Sequence, residues 1–302
     1  MSPRRLVRSA VLSLLAVPAL LLVAPAPAVA AGSGATIANN CSPDPLRRAE
    51  FPNRPKVDNR FQPMVPGMQF FLDGSVIDEN GVAHPHRIST TVTDLTKIVD
   101  GVRALVVFDV DIEDGAVIES ELFFLAQRED GSVWTLGEYP EEYENGQLTG
   151  APNTWIAGTD GARAGIAMLA HPKVGDPTYL QGLSRRIQFK DCATVFQTGQ
   201  HTCVPVGCFD DVLVIDEFSP FDPEGGHQRK SYAPGVGVVQ VAAAGGIDPE
   251  ALSLTKAAPL CKGQFAKVRR QVLAQDARGY VVAPAIYGAT TPAKATLEAT
   301  TC

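Results

Sequence analysis

Between Val107 and Glu138, apolar and polar residues alternate on either side of the repeated triplet Glu113-Asp114-Gly115 and Glu129-Asp130-Gly131. Alternation around Asp-Gly is the pattern of β-hairpins, so this stretch predicts three strands in a meander. Glu79-Asn80-Gly81 and Glu144-Asn145-Gly146 bracket it with two more turns of the same kind. Read as a three-residue loop with Gly in the left-handed position, the first turn sets Ile112 opposite Ala116 and Asp109 opposite Glu119. Phe108, Val110, Ile112, Ile118, Leu122, Phe124, Ala126, Trp134 and Leu136 then share one apolar face. The second face is acidic at one end (Asp109, Asp111, Glu119, Glu121) and apolar at the other (Phe123, Leu125). A face that is apolar in part needs something packed across that part.

Further strand patterns cover Met68–Ile77, Arg87–Thr93, Ala104–Ile112, Trp155–Ala157, Gly165–Ala170, Arg186–Lys190, Ala193–Gln197, Val212–Phe218 and Ser231–Ala242. With no helical period among them, they predict a mainly β chain with one antiparallel sheet system. The tail differs. Phe265, Val268, Val272 and Leu273 recur at helical spacing among Lys262, Lys267, Arg269 and Arg270, and Pro284 closes the pattern. A C-terminal helix of about 15 to 20 residues is expected there, tethered by the flanking Cys261 and Cys302.

The first 30 residues read as an export signal: Arg4, Arg5 and Arg8, an apolar run from Val11 to Val23, then Ala28-Val29-Ala30. Residues 31–60 read as an extended lead-in, 61–245 as the β domain and 246–302 as the helical tail. No apolar stretch reaches membrane length, so a secreted, extracellular protein is expected. Removing three arginines with the leader takes the net charge from -7 to -10. Such a chain is a poor partner for nucleic acid or an anionic membrane surface. Six cysteines in an oxidising compartment predict three disulfides. Cys203 and Cys208 are expected to pair, because Pro205 and Gly207 let the short loop between them fold back. Pairings among Cys41, Cys192, Cys261 and Cys302 stay open.

Ala126-Gln127, Val133-Trp134, Gly137-Glu138, Gly161-Ala162, Gly165-Ile166, Pro172-Lys173 and Tyr232-Ala233-Pro234-Gly235-Val236-Gly237 follow one another along the chain. Across residues 61–239 they resemble a family of uncharacterised secreted actinobacterial β-rich proteins and lipoproteins, with AQDxxGNVWYxGE-like and YAPGVGxV-like segments. The resemblance implies a curved antiparallel sheet or half-barrel of meandering hairpins wrapped around helices, and no activity. Arg128, Ser132 and Thr135 depart from the family pattern. The glycines of 233–237 make a bend before a strand, not a phosphate loop, because neither a helix nor Lys-Ser/Thr follows.

Chemistry is sparsely signposted. The acidic face reads as solvated or as holding calcium, although no loop has calcium-ligand spacing. His84-Pro85-His86 could present two imidazoles to a metal, but a third placed ligand is missing. His171, His201 and His227 stand alone beside turns, Gly-x-Ser-x-Gly is absent, and oxidised cysteines offer no thiol. No catalytic residue, metal or cofactor is therefore assigned. Tyr139, Tyr143 and Trp155 could rim an apolar pocket. The expected function is binding of a lipid or other apolar or amphiphilic small molecule between Phe123 and Leu125 of the sheet and Phe265, Val268 and Val272 of the helix. A metal-dependent extracellular hydrolase using the acidic face or His84 and His86, and a structural cell-envelope protein, are the readings from other classes.

Overall fold

Twelve antiparallel strands follow one another along the chain: β1 (Met68–Ile77), β2 (Ala83–Val99), β3 (Val102–Glu113), β4 (Ala116–Gln127), β5 (Val133–Glu144), β6 (Arg163–Met168), β7 (Tyr179–Ser184), β8 (Phe189–Val204), β9 (Gly207–Phe218), β10 (His227–Ala233), β11 (Gly237–Ala244) and β12 (Glu250–Pro259). In this computed structural model, which describes residues 41–302 apart from positions 43 and 248, each strand pairs with the next. β12 returns to pair with β1. The curved sheet is thus a closed barrel. Among the described residues, closure leaves no long open edge for another chain to pair with. The leader expected over residues 1–30 lies outside the described residues.

Period-2 patterning placed most strands, including Met68–Ile77 to the residue. Glu250–Pro259 corrects the expected boundary at residue 245: it is a strand of the sheet rather than part of the helical tail. The Ser231–Ala242 stretch is two strands, because Pro234 and Gly235 turn the chain between β10 and β11. The hairpin turns split into two kinds. Asp78 pairs with Val82, and Arg128 with Ser132, across three-residue loops ending in left-handed Gly81 and Gly131. Glu113 and Ala116, in contrast, are joined by only Asp114 and Gly115, both at positive φ. A bulge at Ile118 then moves the register, so Asp109 faces Glu121 and Asp111 faces Glu119. The faces are those expected, but the pairing is two residues away.

Burial around the whole ring of strands sorts the two faces into inside and outside. Val107, Phe123, Leu125, Leu72, Leu252, Leu254, Val241, Leu213, Ile215 and Val195 are buried all the way round the sheet, and these face the barrel interior. The opposite face is covered locally. Phe51 packs edge-on against Trp134 with ring centroids 5.9 Å apart. Two helices, α1 (Lys262–Val282) and α2 (Pro284–Tyr287), cover the rest of that apolar stripe.

Polar side chains seat α1 on the outer wall. Gln275 accepts from the Ser120 hydroxyl at 2.8 Å and donates to the Ser120 carbonyl at 2.6 Å, and Arg278 grips Glu141 through two bonds of 2.9 and 2.6 Å. Lys97, fully buried, places Nζ 2.7 Å from Asp276 Oδ1 and 3.9 Å from the Tyr287 ring centroid. Burial pushes the lysine down to about 8, against the attraction of Asp276. Gly279 admits the Tyr287 ring so closely that an added Cβ would lie 2.5 Å from it. Disulfides secure the ends: Cys41–Cys192 ties the lead-in to β8, Cys203–Cys208 clamps the tip of the β8–β9 hairpin, and Cys261–Cys302 joins the tail to the start of α1. All six cysteines are paired, which fits folding in an oxidising compartment outside the cytoplasm.

Candidate functional site

The five residues expected to form one pocket are not brought together. Phe123 and Leu125 face the interior, whereas Phe265, Val268 and Val272 belong to a helix on the outer wall. Phe124, the neighbour of Phe123 on the opposite face, is the one that meets α2, at 6.2 Å from Tyr287. The helix covers the fully apolar face, because the second face is already enclosed by barrel closure. Strand alternation reports two faces but not which becomes the inside, since closure depends on pairing between β12 and β1 far apart in sequence.

The interior wall has two regions. Towards the β2–β3 turn end it is apolar, with Leu105, Val107, Phe123 and Leu125 in cross-strand pairs. Towards the β3–β4 turn it is rich in carboxyl groups. Asp109, Asp111, Glu119 and Glu121 project there from β3 and β4, and Glu138 from β5 lies across from Phe123. Trp155 pairs with Glu138 and donates from Nε1 to its Oε2 at 2.8 Å, so this tryptophan belongs to the interior. Trp134, Tyr139 and Tyr143 serve the outer wall instead. Tyr139 and Tyr143 both donate to Glu141.

A line of polar contacts runs round the carboxyl-rich end. His86 of β2 has Nε2 3.9 Å from Asp111 and Nδ1 2.7 Å from Glu250 of β12. Glu250 accepts from Gln228 of β10 at 2.8 Å. Gln228 lies across from Glu217 of β9, which pairs with Lys230 at 2.5 Å and accepts from Gln181 at 3.0 Å. Burial opposes the Glu217 carboxylate, yet Lys230 beside it holds its pKa below the ordinary value. Burial likewise opposes the His86 imidazolium, but the Glu250 carboxylate outweighs it and raises the ring's pKa.

Asp109 is the least compensated group on this wall. It is 2% exposed, and neither carboxyl oxygen makes a hydrogen bond of good geometry. The Thr90 hydroxyl opposite it is near enough to favour the charged form, but burial dominates and pushes the group up to about 7. Asp111 is pushed to about 7 by burial and by the charge of Asp109. An ionised carboxyl in such surroundings lacks the solvation that water would give it. A cationic group brought beside it would supply the missing stabilisation.

A concavity lies at the opposite end of the barrel from the carboxyl groups, with a volume of about 460 Å³. Gln127 and Pro172-Lys173, three of the residues carrying the family resemblance, line it together with Arg60 and His171. Gln127 has a structural role here. Gln127 Oε1 accepts from the backbone N–H groups of Asp58 and Asn59, and Asn59 Nδ2 donates to the carbonyls of Gly131 and Leu169. Gly235 donates its N–H to the Arg60 carbonyl at 2.8 Å. Two motif segments, at Gln127 and Gly235, thus help seat residues 58–60 at this end.

No protein-family model matches the chain, and no curated protein matches it. Two solved structures show a distant likeness. A protein described as a lipoprotein from Parabacteroides distasonis is 13% identical, with a TM-score of 0.35, over 66% of this chain and 99% of its own. An exported protein with a YmcC-like fold from Bacteroides fragilis gives a TM-score of 0.34 at 13% identity, over the same shares of the two chains. No helix among the described residues is long and apolar enough to cross a membrane.

Several interior groups escaped sequence reasoning. Glu250 fell in the supposed tail, although Glu250, Leu252 and Leu254 alternate with Ala251, Ser253 and Thr255 as a half-buried strand does. Lys230, Tyr232, Glu217 and Tyr179 are all buried and carried no pattern of their own. Their strands lie far apart in sequence from β3 and β4, and share an interior with them only through closure.

Proposed function

We propose that the protein is an extracytoplasmic binding protein whose barrel interior receives an amphiphilic molecule with a basic head group. The observation that carries this is the division of the interior wall. Leu105, Val107, Phe123 and Leu125 offer an apolar seat, and Asp109 and Asp111 stand beyond it with carboxyl groups that burial disfavours as anions. A barrel of eight strands is about wide enough for its own side chains to fill, and twelve strands enclose more. An apolar chain against the first region gains about 25 cal/mol per Å² of surface removed from water. An ammonium or guanidinium head then meets Asp109 and Asp111 where few solvent dipoles screen it.

The test is a comparison of two environment-sensitive probes with the same alkyl chain, one bearing an amine and one a neutral hydroxyl. Asp109→Asn combined with Asp111→Asn should weaken the amine probe at least tenfold and leave the hydroxyl probe within about threefold, as expected for a lost charge contact of about 1.4 kcal/mol or more. Equal loss for both probes, or none for either, would remove the basic head group from the proposal.

A further inference from the structure

We infer that the carboxyl-rich mouth of the barrel holds a divalent transition-metal ion of the zinc type, bound by His84, Glu113 and Asp114. The three side chains come from β2 and from the end of β3 with the two-residue turn that follows it, and their ligand atoms lie within 4.8 Å of one another. The sequence offered only the His84-Pro85-His86 pair without a third ligand; the β3–β4 turn, folded over β2, supplies it. His84 Nδ1 is 2.7 Å from Asp114 Oδ2. Its other nitrogen, Nε2, is 3.5 Å from Asp78 Oδ2.

That second contact matters for the chemistry. A histidine that ligates a metal through one nitrogen is held by an acceptor at the other, which fixes the tautomer and makes the ligating nitrogen more basic. Asp78 is itself fixed, since its Oδ1 accepts from the backbone N–H groups of Asn80 and Val82. The order Asp78, His84, ion, with Glu113 and Asp114 completing the donor set, is the order such sites take. An imidazole with two carboxylates suits zinc better than calcium, which prefers oxygen donors alone. Three protein ligands leave one tetrahedral position for water.

The neighbouring histidine is engaged elsewhere. His86, two residues along β2, lies directly across from Glu113 in the strand register. It is 8% exposed, and neither ring nitrogen makes a hydrogen bond of acceptable angle, although Nδ1 is 2.7 Å from Glu250. That pairing already engages His86, so the donor set is His84, Glu113 and Asp114 alone. The second cluster with metal-ligand spacing, His201 with Cys203 and Cys208, is set aside because both sulfurs are spent in a disulfide.

Isothermal titration of the metal-free, disulfide-bonded protein with zinc chloride near pH 7.5 tests this. The expected result is one ion per chain, weakened at least tenfold by His84→Ala and by Asp114→Asn, and unchanged by His201→Ala. All three positions are exposed or half-buried, so each variant is first shown to keep the parent's melting temperature. Should a variant fail that check, Glu113→Gln replaces it. Zinc binding that is absent, or equally strong in the parent and His84→Ala, would overturn the site.

Discussion

Asp109 shows how a single side chain changes meaning once the sheet closes. As a position in the sequence it reads as part of a solvated acidic face, since it alternates with Phe108 and Val110. In the structure it is buried among Thr90, Glu119 and Glu121 with Lys230 across the interior, and it titrates at about 7 rather than at the ordinary 3.8. Between those two values the folded chain keeps a proton that the unfolded chain has released. Stability therefore falls as pH rises through that window, and the loss levels off only above about pH 7. Asp109→Asn removes the loss. Thermal melts should show no gain for the variant near pH 3.5 and a gain on the order of 1 to 3 kcal/mol near pH 8, by the usual linkage of pKa to stability. A gain of the same size at both pH values would mean that ionisation of Asp109 is not the cause.

At the scale of elements, the helix pattern and most strand patterns were legible, while the partner of each face was not. Phe265, Val268 and Val272 marked α1, and it does cover an apolar sheet face. The face it covers is set by which side closure turns outward, and that information is spread over twelve strands. Turn chemistry was ambiguous for a similar reason. Glu129-Asp130-Gly131 and Glu113-Asp114-Gly115 have the same letters but different loop lengths, since a bulge at Ile118 absorbs the difference in the second case. The contacts that hold α1 were invisible in sequence because they join positions such as Lys97 and Asp276 across most of the chain. They carry a clear expectation. Asp276→Ala would leave the Lys97 ammonium buried without its counter-charge and free the Tyr287 hydroxyl, at a cost of about 3 to 5 kcal/mol. Chemical denaturation should show that loss, whereas Glu79→Ala, in an exposed turn at ordinary backbone angles, should stay within about 0.5 kcal/mol. Comparable stabilities for the two variants would show that the ion pair does not anchor the helix.

For the whole molecule, the claim is that the inside of the barrel, and not the seam beneath the helix, is the binding region. The chain contains two tryptophans, and they divide the alternatives. Trp155 belongs to the interior through its contact with Glu138, and Trp134 belongs to the outer wall through its packing against Phe51. The direct measurement is quenching of tryptophan fluorescence by a bromine-bearing alkylamine, in Trp134→Phe, which keeps only Trp155, and in Trp155→Phe, which keeps only Trp134. An amphiphile seated in the interior should quench Trp155 saturably at one equivalent per chain and leave Trp134 nearly unchanged. Quenching of Trp134 alone, or no saturable quenching of either tryptophan up to the solubility limit of the probe, would contradict an interior binding site.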